Sequence, residues 1–466
     1  MLPDKGIADV AIVGYGPTGA TLANLLGLLG ISTVVLERER ELVLQPRAVH
    51  FDGEVMRVFQ TAGIAERILP HVRPSGGMRY VSPSGVVMVE RKPALGEGSH
   101  GWANNYLFHQ PHLENALRAG VARFDNVEVL EGRDVVSLHS TEEQVVLETS
   151  EEQLRARWVV GCDGARSVVR QAIGAQHHDL GLHQPWLVVD VVLEREIDLP
   201  HPTVQYCDPA RPVTCVNVTG ARRRWEIMLM PGERSESMTE ADTVWRLLAP
   251  WIKPGDARLE RSAVYTFHSL IAARWRKGRL FIAGDAAHQT PPFLGQGMCT
   301  GIRDAANLAW KLARVVRGEA GEALLDTYES ERAPHARRFI EEAVRLGGIL
   351  QTTDPAVAAA RDRRFLETGK EEMVNLSPAL GPGAHAGTPP AGVIFPQPRL
   401  ADGRRMDEAI GGYRFAVLGP AKRIEEVQGV ARVPLDREDL VLLRPDRYIA
   451  AVSASPAQIR QALGAM

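Results

Sequence analysis

Ala8-Asp9-Val10-Ala11-Ile12-Val13-Gly14-Tyr15-Gly16-Pro17-Thr18-Gly19 is the stretch that decides the fold. Six mostly apolar residues read as a buried strand, and the glycines at 14, 16 and 19 follow at the spacing G-x-G-x-x-G. Pro17 to Leu29 reads as a helix, with Gly30 where a C-terminal cap glycine belongs, and Ser32 to Glu37 as a second apolar strand. A strand, turn and helix of this kind suit a dinucleotide. The first glycine permits the turn, the second lets a pyrophosphate approach the backbone, and the third lets helix pack on strand, with Pro17 and Thr18 completing the contact surface. The helix N-terminus adds free N–H groups and a partial positive charge. Glu37, at the end of the second strand, suits the adenosine ribose hydroxyls and repels a 2′-phosphate, and Arg38 flanks it. The turn alone does not separate NAD from FAD.

The chain has 466 residues, 45% hydrophobic and 24% charged, with a formal charge of −3. That length implies roughly two to three packed units. The near-neutral charge supplies no field for nucleic acid or an anionic membrane surface. Cys162, Cys207, Cys215 and Cys299 show neither CxxC spacing nor a paired ladder, so no metal site or disulfide framework is expected and a reducing cytoplasm fits. Met1 to Gly6 lacks a signal-peptide layout, and the apolar stretch Thr21 to Leu36 is broken by Gly27, Gly30 and Ser32, so no spanning helix is expected.

Further strand-turn-helix passages stand at Trp158 to Ala172 and Arg279 to Val316; if all three share one sheet, the segments between them must leave it and return. The strands Leu187 to Leu193, Thr203 to Tyr206, Val213 to Val218 and Trp225 to Met230 read as an inserted antiparallel sheet, with Arg222 to Arg224 at a solvated hairpin tip. Ser377 to Pro398 is dense in Pro and Gly, as a linker or extended loop would be. Three strands follow, Tyr413 to Leu418, Leu440 to Leu443 and Tyr448 to Val452, then a short helix, too little for a comfortable core of their own.

Gly284-Asp285-Ala286-Ala287-His288 and Pro291-Pro292-Phe293-Leu294-Gly295-Gln296-Gly297-Met298 are more specific, and Cys162-Asp163-Gly164-Ala165-Arg166-Ser167 accompanies them. Together these motifs resemble the flavoprotein aromatic hydroxylases of the p-hydroxybenzoate hydroxylase fold, and within them the phenolic-acid and polyketide branch that includes 3-(3-hydroxyphenyl)propionate hydroxylase. The resemblance spans most of residues 8–345, including Leu325 to Arg332. It implies an α/β fold: a Rossmann-like FAD-binding domain at 1–180 and 271–350, an inserted antiparallel β-sheet substrate domain at 181–270 joined by residues 72–100, a linker at 351–400, and a shortened thioredoxin-like C-terminal domain at 401–466.

By the same resemblance Asp285 holds the FAD ribityl chain, Arg47 reaches the flavin phosphate or ring, Gln110 bonds the ribityl or phosphate, and Asp163 lies near the flavin and the nicotinamide donor. Pro292, Gly295, Gly297 and Met298 border the flavin. The helix opening near Gly297 is apolar at Met298, Ile302, Ala305, Ala309, Leu312 and Val316, and its N-terminus would favour the reduced flavin. Ser167 also suits a helix N-cap, so part of its motif is architectural.

The family's chemistry has NADH or NADPH reduce FAD, dioxygen form a flavin hydroperoxide, and the terminal oxygen pass to an electron-rich aromatic carbon. The implied partners are an aromatic small molecule, dioxygen and a transient nicotinamide donor; homodimerisation stays open. The protein must position the ring and exclude water, and no catalytic base is assigned. Gln205, Val216, Val218 and Ile227 are expected to face the substrate from the inserted sheet, with Pro292 and Phe293 on the flavin side; each is also what a plain β-core contains. Benzoate-specific relatives hold the substrate carboxylate with an arginine on this sheet, and Val218 stands near that place, which argues against a simple hydroxybenzoate. His50 reads either as a flavin-edge or as a packing residue. Two other readings stay open: a flavin reductase or dehydrogenase without oxygen insertion, and a non-enzymatic flavin-binding redox sensor.

Overall fold

The computed structural model describes residues 7–42, 47–93 and 96–466. Met1 to Gly6 and the Gln45-Pro46 pair before Arg47 lie outside the described residues. Ala8–Val13 pairs in parallel with Thr33–Glu37 on one side and Gln153–Gly161 on the other, and Gln153–Gly161 pairs in parallel with Leu280–Ile282. The three strand-turn-helix passages therefore share one sheet. Val13 faces Gly161 and Gly161 faces Ile282, so the turns that follow these strands converge at one edge. Continuous apolar runs are what parallel strands covered on both faces require.

The second sheet has nine strands in the order His288–Gln289, Ala257–Ala272, His177–Leu193, Arg222–Met228, Val213–Asn217, Thr203–Tyr206, Met78–Val81, Val87–Arg91, Glu371–Glu372. The expected strands are all in it, but it is not wholly antiparallel: Thr203–Tyr206 joins Met78–Val81, and Val87–Arg91 joins Glu371–Glu372, in parallel. Arg222 to Arg224 is not a hairpin tip. Arg224 sits inside a strand, fully buried, because the register sets it opposite Asp190, whose carboxylate accepts from its Nε at 2.7 Å and its Nη2 at 3.0 Å.

The residues expected at 351–400 are not uniformly a linker. Pro355–Thr368 is a helix whose start is capped by the Asp354 carboxylate, and the Pro- and Gly-rich part that follows is strapped to the helix Ala323–Leu350 through Glu331, which accepts from Ala384 N at 2.6 Å. In the C-terminal sheet the order is Ala431–Pro434, Ala416–Gly419, Leu440–Leu443, Ile449–Ser453. Ala431–Pro434 was not among the expected strands: it is a short edge strand whose apolar pattern Arg432 and Pro434 interrupt. One face of this sheet packs Ala416, Leu418, Val441 and Leu443 with Phe395 and Met406; the other sends Val417, Leu440 and Leu442 into the core of the main body. Among the described residues no helix is long and apolar enough to cross a membrane.

Ion pairs close this seam. Asp407 takes two bonds from Arg57, at 2.7 and 2.9 Å, and lies 3.2 Å from Arg447. Burial would raise its carboxyl, but Arg57 and Arg447 hold it down to about 2. A depressed carboxyl stabilises the fold above the unfolded value of about 3.9 and loses that contribution as pH falls through its folded value. Asp407→Asn is therefore expected to cost about 2–3 kcal/mol at neutral pH. Urea unfolding at stepped pH should show the gap to the parent protein narrowing between pH ~4 and ~2; a gap independent of pH would refute the assignment.

Candidate flavin site

The glycines of the first turn divide into two kinds. Gly14 has φ +99°, and a Cβ there would lie 2.5 Å from the Cys162 carbonyl oxygen; a Cβ on Gly19 would run into the carbonyl of Gly14. Both positions are closed by packing. Gly16 faces open space, with no atom within 4 Å of where its Cβ would be. Pro17 opens the helix Pro17–Leu28. The Thr18 hydroxyl is wedged against Gly284 and Gly301, where side chains would collide with it, so the first and second motifs meet there. Glu37 Oε2 accepts from Tyr15 N at 2.7 Å and Oε1 from Glu39 N at 3.0 Å; Arg38 is exposed beside Glu39.

Asp285 is solvent-accessible, yet the protein packed around it raises its carboxyl, with Arg47 and His288 acting in the opposite direction. An acid both accessible and desolvated sits in a recess. Its loop is fixed by Asp304, which accepts from Gly284 N at 3.0 Å and His288 Nε2 at 2.7 Å. His288 is thus a buried structural residue. Gln110 Oε1 accepts from Arg47 N and Ala48 N, each at 2.7 Å, and its Nε2 donates to Glu114, so Gln110 braces the segment that carries Arg47. Arg224 Nη1 grips the same segment at the Arg47 carbonyl, 2.8 Å away. Asp163 Oδ2 accepts from Val168 N and Val169 N and Ser167 caps that helix through Arg170 N, while Asp163 Oδ1 is buried with no partner among the described residues. Burial raises the Asp163 carboxyl.

Across the recess, Pro292–Leu294 forms a short turn and Gly297–Val316 a helix. No atom lies closer than 3.8 Å to where a Gly297 Cβ would be, and the N–H groups of Gly297 and Met298 meet no acceptor among the described residues. Gly295, at φ +70°, turns the chain between them; its carbonyl lies 3.1 Å from His50 Nδ1. His50 is buried, and burial followed by Arg91 lowers its pKa, which keeps the ring neutral. Phe293 is fully buried against Trp186 and Phe267, with ring centroids 5.6 and 6.4 Å away.

On the nine-stranded sheet the register puts Tyr80, Gln205, Thr214 and Glu226 in one row on one face, and Val216 and Val218 follow on that face by alternation. Tyr80 donates to the Phe293 carbonyl at 3.0 Å, so this face looks toward the Phe293 turn. Gln205 is buried and its carbonyl accepts from the Thr214 hydroxyl; Val216 and Val218 pack on Leu107. Ile227, expected on the same face, lies on the other. It pairs with Leu187 and Val213 on the opposite face and packs with Val244 and Leu248 of the helix Ala241–Leu248, because the sheet is covered on that side too. Asp304, Asp52, Arg303, Tyr80 and Arg91 were not anticipated. They complement partners far away in sequence, and charged residues on a helix or strand ordinarily read as a solvent face.

A glycine-lined opening at a helix N-terminus, the accessible carboxyl of Asp285 and a second open helix N-terminus fit an FAD molecule lying across both turns. This arrangement defines an FAD-binding oxidoreductase. The FAD binding domain family model matches residues 7–343. The "Probable NADH-specific resorcinol 4-hydroxylase" of Rhodococcus jostii (strain RHA1) is 43% identical over 399 residues, covering 84% of this chain and 74% of the relative. A 3-(3-hydroxy-phenyl)propionate/3-hydroxycinnamic acid hydroxylase of Mycobacterium sp. (strain JLS) is 39% identical over 439 residues, covering 89% and 76%. In fold, the flavin-dependent monooxygenase PieE, solved with FAD and substrate, matches over 99% of both chains with a TM-score of 0.83 at 21% identity. The chain belongs to the FAD-binding family of aromatic hydroxylases and is a flavoprotein monooxygenase.

The two kinds of glycine give distinct outcomes. Gly16 has φ −71° and ψ −174°, which alanine adopts without strain. Gly16→Ala should leave the melting temperature of the FAD-free protein unchanged and weaken FAD at least ~10-fold, measured by flavin fluorescence titration. Gly19→Ala should lower the melting temperature of the FAD-free protein itself. Equal effects of both substitutions on stability would contradict the division.

Proposed function

We propose that this enzyme hydroxylates a phenol, with NADH or NADPH as electron donor and dioxygen as the oxygen source. The observation that carries the reading is the open helix N-terminus at Gly297, where the N–H groups of Gly297 and Met298 meet no acceptor among the described residues and favour negative charge, beside a turn backed by the packed aromatic wall of Trp186, Phe267 and Phe293. The names of the relatives, a resorcinol hydroxylase and a hydroxyphenylpropionate hydroxylase, support the same substrate class.

Bound FAD supplies the redox chemistry, taking a hydride from the nicotinamide and activating dioxygen so that one oxygen atom enters the ring and the other leaves as water. Gly14, Gly16, Pro17, Thr18 and Gly19 would hold the pyrophosphate end, Glu37 with Arg38 the adenosine ribose, Asp285 the ribityl hydroxyls, and Arg47, on the segment braced by Gln110, the charge opposite Asp285. Pro292, Gly295, Gly297 and Met298 would border the flavin ring, with Asp163 on the donor side. Gln205, Val216 and Val218 line the sheet side. Phe293 and the wall behind it exclude water, and the free N–H groups at Gly297 and Met298 stabilise negative charge on the reduced ring. The four thiols are unpaired, which supports a reducing cytoplasm as the place of action.

The holoenzyme should oxidise NADH or NADPH faster when resorcinol or 3-(3-hydroxyphenyl)propionate is added, and mass spectrometry should find one atom from isotope-labelled dioxygen in the product. An oxidised or reduced product carrying no label would replace hydroxylation by simple dehydrogenase or reductase chemistry.

A further inference from the structure

Among the described residues all the buried arginines but one have partners, Arg170 at two backbone carbonyls and the rest at carboxylates, including Arg361 at Asp362 and Arg447 at Asp407. Arg57 meets Asp407, Arg224 meets Asp190, Arg303 meets Asp52 and Glu54, Arg332 meets Asp304, and Arg444 meets Glu331 and Asp446. Arg91 is the exception. It is 7% exposed, its Nε is buried without a partner, and its side chain makes no ion pair, hydrogen bond or ring contact among the described residues. An uncompensated charge in the interior is costly, and folds keep one where a ligand completes it.

The register says where Arg91 stands. It pairs with Met78, two residues along from the Tyr80–Val89 pair, and Tyr80 in turn faces Gln205, so Arg91, Tyr80 and Gln205 share the face turned toward the Phe293 carbonyl. The groups it senses are Tyr80, Asp52, Cys299 and His50. None of them neutralises it: Asp52 is spent on Arg303 at 2.5 Å and Gln296 at 3.0 Å, burial keeps the Cys299 thiol and Tyr80 phenol protonated, and His50 is neutral. Arg91 therefore stands on the face that looks toward the Phe293 turn, with Cys299 and His50 among the groups it acts on.

We propose that Arg91 anchors a carboxylate carried by the aromatic substrate, so that the enzyme selects phenolic acids over neutral phenols. The inference rests on the phenol-hydroxylase reading above. A guanidinium fork matches a carboxylate with two parallel bonds, whereas a phenol with pKa of about 10 brings no charge at neutral pH. The phosphates of the dinucleotide are provided for at the Gly16 turn, away from this face. Arg91 is a specificity-determining residue and not a proton carrier.

The test uses FAD-loaded parent enzyme, Arg91→Met and Arg91→Lys, each titrated with 3-(3-hydroxyphenyl)propionate and with resorcinol while flavin absorbance is followed. In Arg91→Met the Kd ratio of acid to resorcinol should rise about tenfold or more, with Arg91→Lys between the two. The melting temperature of ligand-free Arg91→Met should equal or exceed that of the parent, because a buried unpaired charge has been removed. An unchanged ratio, or a lower melting temperature with both probes weakened alike, overturns the proposal. Labelled-dioxygen incorporation separates the two readings. Arg91-dependent binding of the acid without hydroxylation refutes the hydroxylase and keeps the anchor, and hydroxylation of both probes with an unchanged ratio does the reverse.

Discussion

The carboxylate of Asp304 is the joint on which the site hangs. It takes hydrogen bonds from Gly284 N, His288 Nε2 and Arg332 Nε, at 3.0, 2.7 and 2.9 Å, and so ties the loop carrying Asp285 to the helices Gly297–Val316 and Ala323–Leu350. Burial alone would raise this acid; His288 and Arg332 overcome that and hold it low. The contact chain continues. Arg332 Nη1 donates to His335 Nδ1, which leaves the proton on Nε2, facing the Tyr448 oxygen at 3.3 Å, and Tyr448 donates to Glu54 at 2.8 Å. Burial and the neighbouring arginines keep His335 neutral, which this donor order requires. Tyr448, which leads into the last strand of the C-terminal sheet, is thereby connected to the flavin loop through buried groups.

This chain of contacts explains why so short a tail can be stable. Its sheet buries one face on itself and one on the main body, and it contributes Asp407 to Arg57 and Arg444 to Glu331, with Asp446 bonding Arg444 in turn. Lys311 and Glu331 are both wholly buried at 2.8 Å, and Arg444 with Asp446 extends this pair into a buried network of two cations and two carboxylates. The tail is better regarded as the last layer of the core than as an appended module.

Local features were legible in the sequence and non-local ones were not. The turn Gly14 to Gly19, the three strand-turn-helix passages taken singly and the strand at Thr203–Tyr206 follow from short-range periodicity and glycine spacing. The sharing of one sheet by those passages is settled instead by pairing between distant strands. Arg224 and Ile227 were misplaced because their environment is set by partners in other strands: Asp190 lies 34 residues before Arg224, and the helix over Ile227 comes after it. The helix Gly297–Val316 shows its apolar stripe plainly, yet Arg303, Asp304, Asn307 and Lys311 on its polar stripe are buried too, each answered by a distant charge or amide. Asp354-Pro355 is a helix start the sequence does carry, masked by the Pro and Gly density further along.

Space, rather than residue type, separates architecture from function in these motifs. At Gly19, Gly284 and Gly301 a methyl group would strike backbone or the Thr18 side chain, so those glycines are explained by the approach of one element to another. At Gly16 and Gly297 a methyl group would strike nothing nearer than ordinary contact, and neither position has φ in the left-handed region. Packing and backbone conformation therefore account for the first set and leave the second without a structural cause. Both open glycines stand at helix N-termini, where free N–H groups and the helix dipole draw negative charge. The pyrophosphate and the reduced ring of one FAD are two negative charges of the kind that such helix starts favour.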